Sequence, residues 1–218
     1  MAKKKIAVIL SGCGVYDGAE IHESVLTMLA IAANGAEYQI FAPDITQHHV
    51  INHITGEEMN ETRNVLIEAA RIARGNVKPL QELDMNDYDA VIFPGGFGAA
   101  KNLSDFAFKG VDFSVNPQVE EVIKSAYLKG KPIGALCIAP VMIPKILGEV
   151  EVTIGNDSGT IAAVEKIGGK HKTTTHGEVV IDEKYKVVTT PCYMLNATID
   201  QIAAGADKLV KAVVGFRI

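Results

Sequence analysis

Three cysteines are the residues best suited to covalent chemistry, and Cys137 has the clearest setting for it. The apolar run Pro132–Leu136 predicts a buried strand that leads directly into Cys137, and Pro140 is well placed in the first turn of a following helix. Unpaired amides and the positive dipole at a helix N-terminus favour thiolate, which is the nucleophilic form. We therefore predict that Cys137 is a catalytic nucleophile. The alternative is a small buried apolar residue, the usual fate of a free cysteine.

Backbone amides around Cys137 could stabilise a developing oxyanion. In a nucleophile elbow the amide of the next residue, here Ile138, donates to that oxyanion. Pro94-Gly95-Gly96 ends another predicted strand, and glycine allows a second amide to approach closely. We predict that Gly95, Gly96 and Ile138 bind substrate. The glycines match neither the dinucleotide nor the P-loop phosphate-binding pattern.

The predicted elements that position these residues alternate between strands and helices, which is typical of an α/β fold with a mostly parallel sheet. With 218 residues and 48% hydrophobic content, the chain is expected to form a single domain over residues 1–218. Ligands of such sheets bind beyond the carboxyl ends of the strands. The predicted strands are 5–10, 37–42, 89–93, 132–136, 151–154, 178–182 and 185–190, the last two as a hairpin. The predicted helices are 21–33, 62–73, 116–128 and 194–214.

The net charge and the number of cysteines limit which partners and which cellular compartment are expected. The net charge of −5 argues against nucleic acid as a partner. No apolar run reaches the roughly 18 residues that a membrane span needs, so we expect no membrane partner. Cys13, Cys137 and Cys192 form an odd set that does not indicate a secreted disulfide framework. A reducing compartment, and hence a cytoplasmic location, is the expectation.

The histidines offer two further possibilities. His49 and His53 could share a helical face beside His48, in the polar segment 44–60, but no carboxylate or cysteine nearby completes a ligand set. We therefore predict no metal. His176 and Glu178 have the His-x-Glu spacing of glutamine-hydrolysing enzymes, although a turn into the strand at Glu178 explains the pair equally well.

Several segments resemble a known superfamily. YDAVIFPGG (88–96), KNLS (101–104) and ALCIAP (135–140) are similar to the ThiJ/PfpI superfamily, relatives of the class I glutamine amidotransferases. More closely, ILSGCGVYDGAEIHE (9–23), NHITG (52–56) and TRNVL (62–66) resemble the ElbB-type glyoxalases, described as isoprenoid-biosynthesis proteins with an amidotransferase-like domain. The resemblance extends over essentially the whole chain.

The resemblance implies a flavodoxin-like three-layer sandwich in which a glutamate contacts the elbow cysteine. Glu23 matches that glutamate, and Glu20 is the alternative. The implied activity converts glyoxal, a small dicarbonyl, to glycolate through Cys137 without a cofactor, in a homodimer. Many hydrolytic members carry histidine after the nucleophile, whereas Ile138 follows it here, which makes a protease doubtful. The alternatives are a redox-sensing or partner-binding protein and a glutaminase subunit that uses His176.

Overall fold

The computed structural model describes residues 3–216 and contains one large sheet, one small sheet and covering helices. Within these residues, no helix is long and apolar enough to cross a membrane. The strands are β1 (Lys5–Ile9), β2 (Glu37–Ala42), β3 (Val77–Pro79), β4 (Ala90–Phe93), β5 (Ile133–Leu136), β6 (Glu151–Val152), β7 (Lys170–His171), β8 (Val180–Asp182) and β9 (Val187–Thr190). The helices are α1 (Ile21–Ala33), α2 (Val65–Ala73), α3 (Phe97–Lys101), α4 (Phe106–Lys109), α5 (Pro117–Leu128), α6 (Met142–Leu147), α7 (Ser158–Lys166) and α8 (Ile199–Gly215).

The large sheet has the order β3-β2-β1-β4-β5-β9-β8. All its pairs are parallel except β8 with β9, which form the predicted antiparallel hairpin. The chain leaves β1 toward one edge and returns at β4 toward the other, so a topological switch point lies between these two strands. Residues that follow β1, β4, β5 and β9 therefore meet at one edge of the sheet, where α/β proteins bind ligands.

Both faces of the sheet are covered, which makes the three-layer sandwich implied by the resemblance. Along β1, Ala7 and Ile9 face one core cluster, while Ile6 and Val8 face the other. The first cluster packs against α5 and α6, and the second packs against α1, α2 and α8. Near-continuous apolar strands are what a sheet buried on both sides requires. The predicted fold class, α/β with a mostly parallel sheet, is confirmed.

The predicted elements differ from the observed ones mainly where the elements are short or polar. The predicted strand at 151–154 shrinks to β6 and pairs with β7 in a separate two-stranded sheet. Residues 192–194 form a 3-10 turn, and the last helix begins at Ile199, where Thr198 and Gln201 form a capping box. The helix expected after Cys137 is present as a 3-10 turn at Ala139–Val141 followed by α6. The sequence pattern missed β3, α3, α4, α7 and β7, because segments of two to nine residues carry too little periodicity.

Candidate active site

Cys137 lies on a sharp turn between β5 and a 3-10 turn at Ala139–Val141. Its φ of 61° is in the left-handed region, which costs a non-glycine residue about 1–2 kcal/mol. The Cys137 amide donates to the carbonyl of Thr190 at the end of β9 (2.9 Å), which helps to hold this conformation. The turn has the strained strand-to-helix geometry of the predicted nucleophile elbow.

Glu23 is the carboxylate that contacts Cys137, and it is fully buried. It lies in the first turn of α1, and its side chain forms a hydrogen bond with the thiol. The Gly95 amide donates to its Oε2 (2.9 Å), and the Tyr193 amide donates to its Oε1 (3.4 Å). Burial first, and the nearby charge of Glu20 second, raise the pKa of Glu23 to about 8.

Glu20 has a structural role instead. It is the N-cap of α1, and its Oε2 accepts a hydrogen bond from the Glu23 amide (2.7 Å). An N-cap carboxylate satisfies one of the free amides of the first helical turn. Of the two acidic residues that the sequence offered, only Glu23 forms a described hydrogen bond with the sulfur.

The protonation of Cys137 differs from the prediction. The Gly96 and Ile138 amides donate to the sulfur and lower its pKa, but burial and the Glu23 carboxylate outweigh them, so the pKa of Cys137 is raised well above its usual value. The exposed fraction of the residue is only 7%. The expectation of a freely ionised thiolate was therefore wrong. The helical segment after Cys137 is a 3-10 turn followed by the six-residue α6, which is too short to offset the loss of hydration.

Gly95 contacts both members of the Cys137–Glu23 pair. Its amide is already bonded to Glu23, and a Cβ on Gly95 would lie 2.7 Å from Glu23 Oε2 and 2.9 Å from the Leu136 carbonyl. Only glycine lets β4 end directly against both catalytic candidates. Gly96 and Ile138 line the cavity beside the sulfur, whereas Gly95 does not, and the predicted binding of substrate by these three residues stays a prediction.

The cavity beside Cys137 has a volume of about 380 Å³ and is lined mainly by apolar side chains. These come from several distant segments and include Val15, Phe97, Phe106, Ala107, Ile138 and Met194. Asp157 and Thr160, at the start of α7, also line it. The cavity therefore combines one buried thiol with apolar walls and a polar group at α7.

Tyr193, which also lines the cavity, was missed by the sequence analysis. Its hydroxyl forms a hydrogen bond with Nδ1 of His22 (2.8 Å), while its amide reaches Glu23. The sequence feature that could have identified Tyr193 is its position just beyond β9, at the same sheet edge as Cys137. Asp157 gave no comparable signal, because it follows β6 in the small sheet.

The other two cysteines occupy different surroundings, and all three are free thiols. Cys192 is buried in another turn with left-handed backbone geometry (φ 44°). Burial is the main cause that raises the pKa of its thiol, and the nearby charges of Glu23 and Cys137 raise that pKa further. Cys13 is half-buried beside α2, and the charges acting on it come from Glu68, Arg71 and neighbouring groups. Only Cys192 therefore lies in the electrostatic environment of the Cys137–Glu23 pair.

The histidines singled out above lie outside the cavity lining. Nε2 of His176 lies 3.1 Å from the Asn196 carbonyl, and the groups that act on the Cys137 thiol are Glu23, Gly96 and Ile138 rather than His176. The ring of His48 packs on Phe108, and Nε2 of His53 accepts from the Tyr16 amide. Across residues 3–216 no group of three or more His, Cys, Asp or Glu side chains is arranged to hold a metal ion.

Two curated relatives match most of this chain. The human "Glutamine amidotransferase-like class 1 domain-containing protein 3, mitochondrial" is 48% identical over 219 residues, covering 96% of this chain and 82% of the relative. The zebrafish "ES1 protein, mitochondrial" is 39% identical, covering 87% and 76%. These names contradict the expected cytoplasmic location. Free cysteines argue only against an oxidising compartment and do not distinguish one reducing compartment from another.

Solved structures and a family model agree with the fold. The isoprenoid biosynthesis protein with an amidotransferase-like domain from Ehrlichia chaffeensis has a TM-score of 0.91 and 34% identity, covering 97% of this chain and 98% of that one. Glyoxalase III from Candida albicans has a TM-score of 0.61 at 17% identity, with 97% and 96% coverage, which supports the fold alone. The DJ-1/PfpI family model matches residues 4–194. On this match, and on the cysteine elbow at its centre, the chain belongs to the DJ-1/PfpI family.

Proposed function

We propose that this protein is a cofactor-independent glyoxalase that converts a small dicarbonyl such as glyoxal to a hydroxy acid, here glycolate. The observation that carries the proposal is the buried hydrogen bond between the Cys137 thiol and the Glu23 carboxyl beside the cavity. A carboxyl group whose pKa is about 8 is well matched to proton transfer near neutral pH.

The reaction begins with addition of the Cys137 sulfur to one aldehyde carbon. The carboxylate form of Glu23 takes the thiol proton as the C–S bond forms and passes it to the aldehyde oxygen, which gives a hemithioacetal and restores the carboxylate. As the sulfur becomes bonded to carbon, the Gly96 and Ile138 amides are free to donate to the substrate oxygen instead. Such donors are typically worth about 3 kcal/mol each in the transition state.

Glu23 then transfers a proton between the two substrate carbons. It removes the C–H proton of the hemithioacetal carbon and returns a proton to the neighbouring carbonyl carbon, which produces a thioester of glycolate on Cys137. Water hydrolyses the thioester, releasing glycolate and restoring the thiol. One aldehyde carbon is oxidised and the other reduced within the same molecule, so the reaction needs no external oxidant, reductant or cofactor.

Replacement of Cys137 by Ala should reduce glycolate formation from glyoxal to less than about a thousandth of the wild-type rate, because no covalent intermediate can form. Glycolate would be measured without added thiols, so that no external nucleophile substitutes for Cys137. The control is H176A, which removes the histidine of the glutaminase hypothesis and should retain full activity. Turnover that survives in C137A, or ammonia release from glutamine that H176A abolishes, would contradict the proposal.

We also propose a homodimer that pairs through α1. Ile21, Val25 and Leu29 are spaced four residues apart on this helix and are 44%, 44% and 61% exposed, so they form one apolar stripe. A two-fold axis would place the stripe against its own copy.

L29E should convert the dimer to a monomer in light scattering at micromolar concentration. L128E, at an 80% exposed leucine on α5, should leave it a dimer. A wild-type monomer would refute this pairing.

A further inference from the structure

The cavity beside Cys137 is larger than glyoxal requires. Its volume is about 380 Å³, near the lower end of the roughly 300–1,000 Å³ found for small-molecule sites. Glyoxal has four heavy atoms and displaces about as much volume as three or four waters of roughly 30 Å³ each. Bound glyoxal would therefore leave most of the apolar wall in contact with water.

The walls of the cavity favour an apolar substituent. Two phenylalanine rings, Phe97 and Phe106, line it together with the aliphatic side chains of Val15 and Ile138 and the thioether of Met194. Covering such walls is favourable in proportion to the apolar area removed from water. A substituent about the size of a phenyl ring would contact several of these side chains while its aldehyde carbon meets the Cys137 sulfur.

The charges around the cavity disfavour an anionic substrate. Among the described residues that line it, none is Lys, Arg or His. The nearby Lys101 ammonium donates to the Tyr16 carbonyl (2.9 Å) and is not part of the lining. Asp157 does line the cavity, and Thr160 donates to its carboxylate through both the amide (2.8 Å) and the hydroxyl (2.7 Å). A substrate carboxylate or phosphate would meet this negative charge with no cation in the lining to pair with it.

We propose that the substrates of this site are uncharged 2-oxoaldehydes that carry a bulky apolar substituent, and that Asp157 selects against anionic ones. This inference rests on the proposed function, because it assumes that Cys137 attacks an aldehyde. It extends that function by ranking the substrates: an uncharged aryl or branched alkyl 2-oxoaldehyde comes first, glyoxal second and a 2-oxoaldehyde that carries a carboxylate last.

The first test compares phenylglyoxal with glyoxal in the wild type and in A107F. Ala107 lines the cavity but is exposed, so phenylalanine can be added there without displacing a core residue. The wild-type kcat/KM should be at least about tenfold higher for phenylglyoxal, in line with the discrimination that apolar pockets achieve. A107F should lower that value at least about tenfold and the glyoxal value by less, so that the ratio of the two values falls. A204F, the same change at an exposed alanine of α8 outside the lining, should alter neither.

The second test concerns the negative charge. D157N keeps an N-cap side chain on α7 but removes the charge. At low ionic strength we expect kcat/KM for 4-carboxyphenylglyoxal, an anionic 2-oxoaldehyde, to rise at least about threefold relative to the value for phenylglyoxal, with the gain reduced at high salt because Asp157 is exposed. An unchanged ratio of these two values would overturn the role of Asp157.

A third measurement separates the cavity from the reaction. Alkylation of Cys137 by phenacyl bromide, iodoacetamide and iodoacetate would be followed by peptide mass spectrometry and normalised to the rates with a free thiol. Preference for phenacyl bromide that A107F removes would support the apolar selectivity even if no aldehyde were turned over, in which case the glyoxalase proposal alone would fall. Equal normalised rates, or glyoxal turnover with no preference for phenylglyoxal, would overturn the inference and leave the proposed reaction standing.

Discussion

Replacing Glu23 by Gln should slow glyoxal turnover at least about a hundredfold, the lower end of what general acid–base groups contribute. The amide preserves the shape of the side chain but accepts no proton from the thiol and carries none between the substrate carbons. Burial and the Glu23 carboxylate raise the pKa of Cys137, so removal of the carboxylate should make alkylation of Cys137 faster than in the wild type at pH 9, where the wild-type carboxyl group is ionised. Slower turnover together with faster alkylation is the expected signature.

The same variant should change how stability depends on pH. The pKa of Glu23 is about 8 in the folded chain, against a reference value of 4.5, so the folded state binds the extra proton between these pH values. Stability therefore falls as the pH rises from about 4.5 to 8, by up to about 4 kcal/mol at roughly 1.4 kcal/mol per pKa unit. In E23Q this contribution is absent. Urea unfolding at pH 5 and pH 8 should show a smaller loss of stability in E23Q than in the wild type.

E20Q is the matched control, because Glu20 caps the same helix, whereas the side chain bonded to the Cys137 sulfur is that of Glu23. We expect it to retain turnover within about tenfold and to lose about 1 kcal/mol of stability through the weakened N-cap. Two outcomes would contradict the role of Glu23: turnover in E23Q close to that of the wild type, or alkylation of Cys137 that becomes slower at pH 9.

The second large effect is expected at Gly95. In G95A the new methyl group would lie 2.7 Å from Glu23 Oε2 and 2.9 Å from the Leu136 carbonyl, and closer still to the Cβ of Cys137. Two of these neighbours are the proposed catalytic residues and the third is backbone, so relief of the clash must separate the thiol from the carboxyl. We expect at least a hundredfold loss of turnover, since small misplacements of reacting groups cost about that much, and a stability loss of about 1–3 kcal/mol.

The matched control is G134A on the neighbouring strand β5. There the new methyl group would lie 2.9 Å from Leu209 Cδ2 and 3.0 Å from Ile92 Cγ1, which are side-chain atoms of the core and belong to neither Cys137 nor Glu23. A similar loss of stability is expected, with turnover per folded molecule within about threefold of the wild type. Activity would be measured alongside the folded fraction from circular dichroism. If both variants lost activity equally, the specific positioning role of Gly95 would be refuted.

Local sequence identified Cys137 because its evidence is local: an apolar strand, a sharp turn and a nearby proline occupy nine consecutive residues, 132–140. The parallel sheet was equally accessible, since strands buried on both sides are apolar throughout and alternate with amphipathic helices. Glu23 was different. Two acidic residues near the start of α1, Glu20 and Glu23, were candidates, and the family resemblance selected Glu23, which forms a hydrogen bond with the Cys137 sulfur.

Tertiary structure alone decided the protonation state and the cavity. A helix N-terminus favours thiolate when considered by itself, but complete burial and a carboxylate from α1 reverse the direction of the pKa shift at Cys137. The cavity brings together Val15, Phe106, Asp157 and Tyr193, which follow four different strands or lie in the helices between them. Desolvation and cavity shape depend on atoms from many segments at once, so no single stretch of sequence encodes them.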